Sequence, residues 1–320
     1  ICRDIKKVTK KKYLCMAGGV ALNCVINGKI IKENIFDDIW IQPAAGDAGG
    51  SLGAALALWH IDQKNPREVN LNDDMKGSYL GTEFTQEEIE KELNSIGAHF
   101  EKKNYEELID ITSDFLSKEK AIGWFQGRME FGPRALGARS ILADPRSDKM
   151  QKNLNLKVKY RESFRPFAPA ILKDDLSNWF EMDIESPYML LVSNIKKEKK
   201  IQMTDQQKNL FGIEKLNIKR SEIPAVTHVD YSARIQTVNK NTNKIFYDLI
   251  KRFKEKTGCP IIINTSFNIR GEPIVNTPTE AFNCFMGTEL DYLVIGNCIL
   301  EKKNQDLKLK KNYKDSFELD

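Results

Sequence analysis

The stretch AIGWFQGRMEFGPRALGARS, residues 121–140, decides the reading of the fold. Ala121 to Phe125 is an apolar run of strand length, and it passes straight into a loop punctuated by Gly127, Gly132, Pro133 and Gly137. Outward from it, strand-length apolar runs alternate with helical patterns, which predicts an α/β protein. Toward the N-terminus, Thr85 to Ile96 and Tyr105 to Leu116 read as amphipathic helices opened by Thr and Asn caps. Farther back, a strand at Tyr13 to Met16 enters Gly18-Gly19 and a helix at Val20 to Ile31. A strand at Ile39 to Gln42 leads through the loop Pro43 to Gly50 into a helix at Ser51 to His60. Toward the C-terminus, strands are expected at Ala168 to Leu172, Met189 to Ser193, Ala233 to Val238, Pro260 to Ile263, Tyr292 to Ile295 and Cys298 to Leu300. Helices are expected at Asn243 to Lys256 and Thr279 to Met286. Gln63 to Gly77 reads as a domain boundary, Lys196 to Arg220 as a polar excursion, and Lys302 to Asp320 as a charged tail with little to bury.

The loop after Phe125 opens a cationic segment. Between Arg128 and Arg165 stand six Arg and four Lys against four acids, a net +6 in a chain whose total is +4. Arg carries a planar fork that pairs with two phosphate oxygens and is not neutralised at ordinary pH, whereas Lys adds a compact point charge. Arg134 follows Gly132-Pro133 and Arg165 precedes Pro166, so both backbones are restricted and both side chains preorganised. A solvated basic face does not fit, because Phe131, Leu136, Phe164, Phe167 and Pro169 interleave with the cations. A nucleic-acid patch fits poorly, because the basic residues are local and the whole-chain pI is about 8.5. The segment reads as a grip for a small, highly charged anion.

Composition sets the outer limits. The chain has 320 residues, 41% hydrophobic and 29% charged, a soluble globular balance with room for more than one core. No run approaches the roughly 20 apolar residues of a membrane span, and the N-terminal residues lack a signal-peptide core. A cytoplasmic location is expected. The six cysteines form no CxxC pair and read as reduced, mostly core residues. The chain starts at Ile1 and meets a buried strand almost at once, which reads as the C-terminal part of a longer polypeptide.

Two strand-to-helix turns through paired glycines, at Gly18-Gly19 and Gly49-Gly50, are the geometry in which backbone N–H groups approach a phosphate or carboxylate. Asn264-Thr-Ser-Phe-Asn268 places polar side chains at the C-terminal end of an apolar strand, where α/β sheets hold ligands. Arg234, in a strand-like run, is the cation that could face it.

GWFQGRMEFGPRALGARSILADPR, RESFRPFAPAIL, ARIQTV, TGCPIIINTSFN, GEPIV and LDYLVIGN together resemble the C-terminal region of the NodU/CmcH O-carbamoyltransferases, from about Tyr13 to Leu300. The resemblance implies three regions. Residues 1–76 would be a truncated C-terminal part of an actin/sugar-kinase-like (ASKHA) domain, residues 77–303 a YrdC-like α/β domain, and residues 304–320 the charged tail. In the family, the YrdC-like domain converts carbamoyl phosphate and ATP, with Mg, to carbamoyladenylate. The kinase-like domain, which carries iron, passes the carbamoyl group to an acceptor hydroxyl of a sugar, antibiotic or oligosaccharide.

Carried onto this chain, Arg134, Lys159 and Arg165 would be catalytic, and with Arg234 and Ser266 would bind carbamoyl phosphate. Gly18, Gly19, Asn23, Asn264 and Asn268 would contact nucleotide, and Asp47 would be a metal ligand. The iron site would be completed by a HxxxH helix N-terminal to this chain. His60, His99 and His228 lack ligand spacing and read as structural or as supports behind the ligands. Where relatives read Asp-Gly-Thr, this chain reads Asp230-Tyr231-Ser232, which puts a ring where the pocket could narrow. Nucleic acid and membrane are not expected partners; a homodimer is compatible with the reading. The competing reading is an RNA- or nucleotide-binding YrdC-like protein without transferase activity.

Overall fold

The computed structural model describes residues 1–69, 73–216, 218–310, Tyr313 and Phe317; parts of the expected boundary, excursion and tail lie outside the described residues. It is a mixed α/β fold built on a nine-stranded sheet. In chain order the elements begin with α1 (Cys2–Thr9), β1 (Tyr13–Met16), α2 (Cys24–Lys32), β2 (Asp38–Ile41) and α3 (Gly49–Ala57). Then follow α4 (Gln86–Ser95), β3 (Glu101–Lys102), α5 (Tyr105–Ser117), β4 (Ile122–Phe125), β5 (Arg139–Ala143), α6 (Met150–Lys157) and β6 (Ala168–Leu172). After the short α7 (Leu176–Trp179) come β7 (Leu191–Asn194), the single turns α8 (Asp205–Lys208) and α9 (Gly212–Leu216), and β8 (Ser232–Val238). The chain closes with α10 (Lys244–Thr257), β9 (Ile261–Ser266), α11 (Pro278–Gly287), β10 (Tyr292–Ile295) and β11 (Cys298–Glu301).

The sheet order is β3-β11-β10-β4-β5-β9-β6-β8-β7, parallel at β10–β4 and β6–β8 and antiparallel elsewhere. β4, β5 and β6 are buried along their whole length, as expected of central strands covered on both faces. Capping boxes start α4 (Thr85 with Glu88), α5 (Asn104 with Glu107) and α11 (Thr277 with Glu280). Gly258, at φ 76°, ends α10 in the left-handed conformation that glycine adopts without penalty. Helices α5 and α10 pack together over β6 and β9, while α4 and α11 cover β4 and β10.

The N-terminal part adds a separate two-stranded parallel sheet, β1–β2. Helix α2 docks it onto edge strand β7. The buried Asn27 side chain donates to Ala21 O at 2.8 Å and Leu190 O at 3.0 Å, and Gly28 lies so close to Val192 that a Cβ there would stand 2.6 Å from its carbonyl oxygen. Leu136, Tyr188, Met189 and Leu191 of the larger unit share one apolar cluster with Ala21, Ile41 and Ala45 of the smaller.

Three expectations change. The helix expected at Val20 to Ile31 is a 3₁₀ turn, Gly19–Leu22, followed by α2, because Asn23 turns extended and caps α2 by accepting from Ile26 N at 3.1 Å. Strand β5 and helix α6 arise inside the cationic segment, where charge hid them. The segment expected to bury little places Tyr313 in the core: its ring fills the space beside Gly287, and its hydroxyl donates to Glu272. No helix among the described residues is long and apolar enough to cross a membrane.

Candidate functional site

The loop between β4 and β5 is folded around an internal anion. Glu130, 5% exposed, accepts backbone N–H groups from Leu136 at 2.6 Å, Ala138 at 2.8 Å and Arg139 at 3.2 Å. Burial raises its pKa against the pull of those hydrogen bonds. Gly137, at φ 107°, leaves no room for a side chain, since a Cβ would meet the Phe246 ring at 2.4 Å. Arg139 is fully buried, its guanidinium 3.5 Å from the centre of the Phe125 ring, donating to the carbonyls of Gln126, Gly127, Ala138 and Thr82. Burial brings its pKa down to about 10. Arg139 and Glu130 shape the loop, and the loop presents Arg134.

Arg134 opens into a cavity of about 360 Å³ that it shares with Arg161, Arg165, Arg234, His228 and Cys24, floored by Asn264, Thr265 and Ser266 at the end of β9. Arg134 Nε is buried without a hydrogen-bond partner. Burial and then the Arg134 charge bring Arg234 down to about 10, and burial and then Arg165 do the same to Arg161. Among the described residues, no carboxylate pairs with Arg134, Arg161 or Arg234; Arg161 donates to Asn155 Oδ1 at 2.6 Å and stacks over Phe167, and Arg165 pairs with Glu162 at 2.9 Å on the exposed rim. Four like charges are thus held together with few counter-ions, an arrangement that an anion of two or more charges would relieve.

The floor is fixed from behind. Lys159, 3% exposed, does not line the cavity. Its ammonium donates to Ser266 O, to Ser266 Oγ at 3.2 Å, and to Asn268 O and Oδ1 at 2.8 Å, and burial brings its pKa down to about 7. Ser266 Oγ in turn donates to Asn268 Oδ1 at 2.6 Å. Asn264 is held by Gln236: Gln236 Nε2 donates to Leu136 O at 2.7 Å, so its Oε1 faces Asn264 Nδ2, also at 2.7 Å. Asn264 Oδ1 is left as a buried acceptor without a partner.

The residues expected to contact nucleotide and metal divide differently. Asn264 and Asn268 stand at or behind the cavity floor. Gly18, Gly19 and Asp47 lie in exposed loops of the smaller unit, tied together by Gly18 N donating to Ala45 O at 2.7 Å. These loops abut the Arg134 turn: a Cβ on Gly132 would stand 3.1 Å from Pro43 O. Asn23 Oδ1 is spent on its helix cap. Among the described residues, no group of three or more His, Cys, Asp or Glu side chains converges, so the residues present do not fit a metal site and no step is routed through one.

Sequence reasoning missed three lining residues. Arg161 was counted in the segment without a role. Cys24 reaches the cavity only through the docking of α2, which no local pattern reveals. His228 read as structural, yet it lines the cavity; the signal was its place two residues before Asp230-Tyr231-Ser232. Tyr231 itself does not line the cavity. It takes φ 63°, the left-handed backbone that glycine favours, and its ring lies 5.6 Å from Lys200 Nζ, so it does not narrow the pocket.

Residues 113–302 match the model of the carbamoyltransferase C-terminus, and residues 3–56 match that of the carbamoyltransferase N-terminus. The chain is 54% identical to the uncharacterized protein sll1178 of Synechocystis sp., over 96% of this chain and 50% of that protein. It is 41% identical to nodulation protein NolO of Bradyrhizobium diazoefficiens, over 95% and 52%, and 30% identical to the 3'-hydroxymethylcephem-O-carbamoyltransferase of Streptomyces clavuligerus, over 89% and 48%. The chain spans about half the length of these relatives.

Proposed function

The chain belongs to the NodU/CmcH family of carbamoyltransferases, and we propose that its arginine cavity binds carbamoyl phosphate and converts it, with Mg-ATP, to carbamoyladenylate for transfer to an acceptor hydroxyl. The supporting observation is the convergence of Arg134, Arg161, Arg165 and Arg234 on one cavity, with Arg134 and Arg234 free of any carboxylate partner among the described residues. A phosphate dianion supplies the missing counter-charge, and guanidinium forks match its oxygens.

In this reading the arginines stabilise the phosphate as it leaves, and carbamate forms beside them in the cavity. Carbamate then attacks the α-phosphate of ATP and displaces pyrophosphate, the remaining cationic field stabilising the transition state. Lys159 acts through Ser266 and Asn268, holding the strand end that forms the floor. The YrdC-like character of the larger unit and the kinase-like origin of the smaller belong to the same proposal.

Isothermal calorimetry on the chain tests it. Carbamoyl phosphate is expected to bind. Arg134→Ala is expected to weaken carbamoyl phosphate by about 1.5–3 kcal/mol, roughly ten- to a hundredfold or more. Absence of binding, or affinity for RNA that falls steeply with salt and ignores carbamoyl phosphate, sinks the reading.

A further inference from the structure

We propose that His228 is the general base of the first chemical step: its Nε2 takes a proton from the water that attacks the carbonyl carbon of carbamoyl phosphate. The inference rests on the carbamoyl phosphate reading and deepens it. What carries it is a hydrogen-bond chain in which each donor can be assigned. Ser232 Oγ lies 2.6 Å from Asp230 Oδ1 and 3.0 Å from His228 Nδ1. A carboxylate only accepts, so the single hydroxyl proton of Ser232 goes to Asp230. Ser232 Oγ therefore accepts from the ring, and Nδ1 carries a proton. In a neutral imidazole that leaves Nε2 bare.

The rest of the turn fixes this arrangement. Ser232 N also donates to Asp230 Oδ1, at 3.0 Å, and the His228 backbone N–H donates to Ser232 O at 2.8 Å. Asp230 remains ionised: burial works against it, but hydrogen bonds from the Ser232 hydroxyl and N–H and the nearby His228 hold its pKa below the ordinary range. The charges acting on the ring are Asp230 from its own turn and Arg234 from β8; Arg134, Arg161 and Arg165 and, from α2, Cys24 line the same cavity. Burial, and after it the Arg234 charge, outweigh Asp230 and push the imidazole pKa down, so the ring is in its basic form at neutral pH. The cavity thus holds leaving-group stabilisers and, beside them, an oriented base that no part of the anion grip requires.

The step balances as follows. The water oxygen bonds to the carbonyl carbon, and the carbon–oxygen bond to phosphate breaks with its electron pair passing to the phosphate held by the arginines. One water proton passes to Nε2 and the other ends on phosphate; carbamate and hydrogen phosphate are the products, and the imidazolium returns its proton to solvent.

The test is phosphate release from carbamoyl phosphate, measured on the full chain across about pH 5 to 9 alongside calorimetric binding. In the unaltered protein the rate rises with pH, with a midpoint below the ordinary histidine value of 6.5. His228→Gln is expected to lower the rate by about 10²–10⁴-fold, abolish that rise, and leave carbamoyl phosphate affinity within about threefold. Ser232→Ala, which frees the ring without removing it, is expected to cost about tenfold and keep the rise. In ¹⁵N spectra of the unaltered protein His228 is expected to show a protonated Nδ1 and a bare Nε2. A His228→Gln protein that keeps its rate or its pH profile, or a ring protonated at Nε2, overturns the assignment. Failure of the unaltered protein to bind carbamoyl phosphate overturns the underlying reading instead.

Discussion

Replacing Arg234 with methionine should stabilise the ligand-free protein while destroying its proposed function. The guanidinium is held in the cavity without a carboxylate partner among the described residues, beside Arg134. Its pKa falls from 12.5 to about 10, first through burial and then through the Arg134 charge. With each factor of ten in proton affinity worth about 1.4 kcal/mol, that drop corresponds to about 3 kcal/mol of stability withheld from the fold. The sign follows from linkage: the folded state holds this proton less tightly than the unfolded chain, so the cost is present in full at every pH below about 10 and is relieved only as pH rises beyond it. Methionine keeps much of the aliphatic volume and removes the charge. Allowing about 1 kcal/mol for imperfect packing, a gain of about 1–3 kcal/mol remains, which in a chain of this size raises Tm by about 2–6 °C. Differential scanning calorimetry with and without carbamoyl phosphate measures both halves. Ligand at a hundred times its Kd should add about 2.7 kcal/mol to the unaltered protein and only about 0.4–1.4 kcal/mol to a variant whose Kd is ten- to a hundredfold weaker. A lower Tm for Arg234→Met without ligand, or equal ligand stabilisation of both proteins, would refute the claim that the charge is kept for an external anion.

Tyr231→Gly should stabilise the chain by about 1 kcal/mol, read from denaturant unfolding, because it removes the left-handed strain at φ 63°; carbamoyl phosphate affinity should not change, since the ring lies outside the cavity. Gly28→Ala should cost about 1–3 kcal/mol and weaken ligand binding as well, because a Cβ 2.6 Å from Val192 O forces α2, and with it Cys24, away from the larger unit; hydrogen exchange along α2 and β7 reports the detachment. Lys159→Met should leave the cavity cations in place yet lower carbamoyl phosphate affinity by about tenfold, through loss of the ties that hold Ser266 and Asn268; an unchanged affinity in calorimetry counts against a positioning role.

Strands with a plain apolar signature were legible in the sequence. β4, β6, β9, β10 and β11 lie where hydrophobic runs placed them, and Thr85, Asn104 and Asn243 mark helix starts by the side-chain oxygens that cap them. What stayed hidden was structure written in charged residues. β5 begins with Arg139, a residue that periodicity assigns to the surface, yet the guanidinium is buried on Phe125 and its two terminal nitrogens donate to carbonyls that only the folded loop brings together. The Val20–Ile31 pattern concealed a break at Asn23, because an Asn inside an apolar stretch looks the same whether it sits on a helix face or caps the next helix. The cavity was legible as a set of residue types, and Arg134, Arg165, Arg234 and Ser266 do converge. Lys159 converges from the other side of the floor, a distinction that depends on which way the side chain leaves the end of α6 and that spacing does not encode.

The ten cations between Arg128 and Arg165 share one composition but divide by whether the protein provides them with a partner. Arg128 has Glu83 at 3.2 Å, Arg146 has Asp144 at 2.6 Å, Lys157 has Glu289 at 2.9 Å, and Arg139 has its ring of carbonyls beside the Glu130 loop. Those charges are spent on the fold. Arg134 and Arg161 have no carboxylate partner among the described residues, and Arg234, from a strand about a hundred residues later in the sequence, joins them in the same condition. A protein under no demand for anion binding would gain stability by exchanging such residues for apolar ones, as Arg234→Met is predicted to show. Glu130 sharpens the contrast, because the segment already contains a buried carboxylate. It is directed at the backbone N–H groups of 136–139, where it shapes the loop, and Arg134 is left facing the cavity. An internal anion that folds the loop and an absence of internal anions at its tip together make a site preorganised for a phosphate supplied from outside.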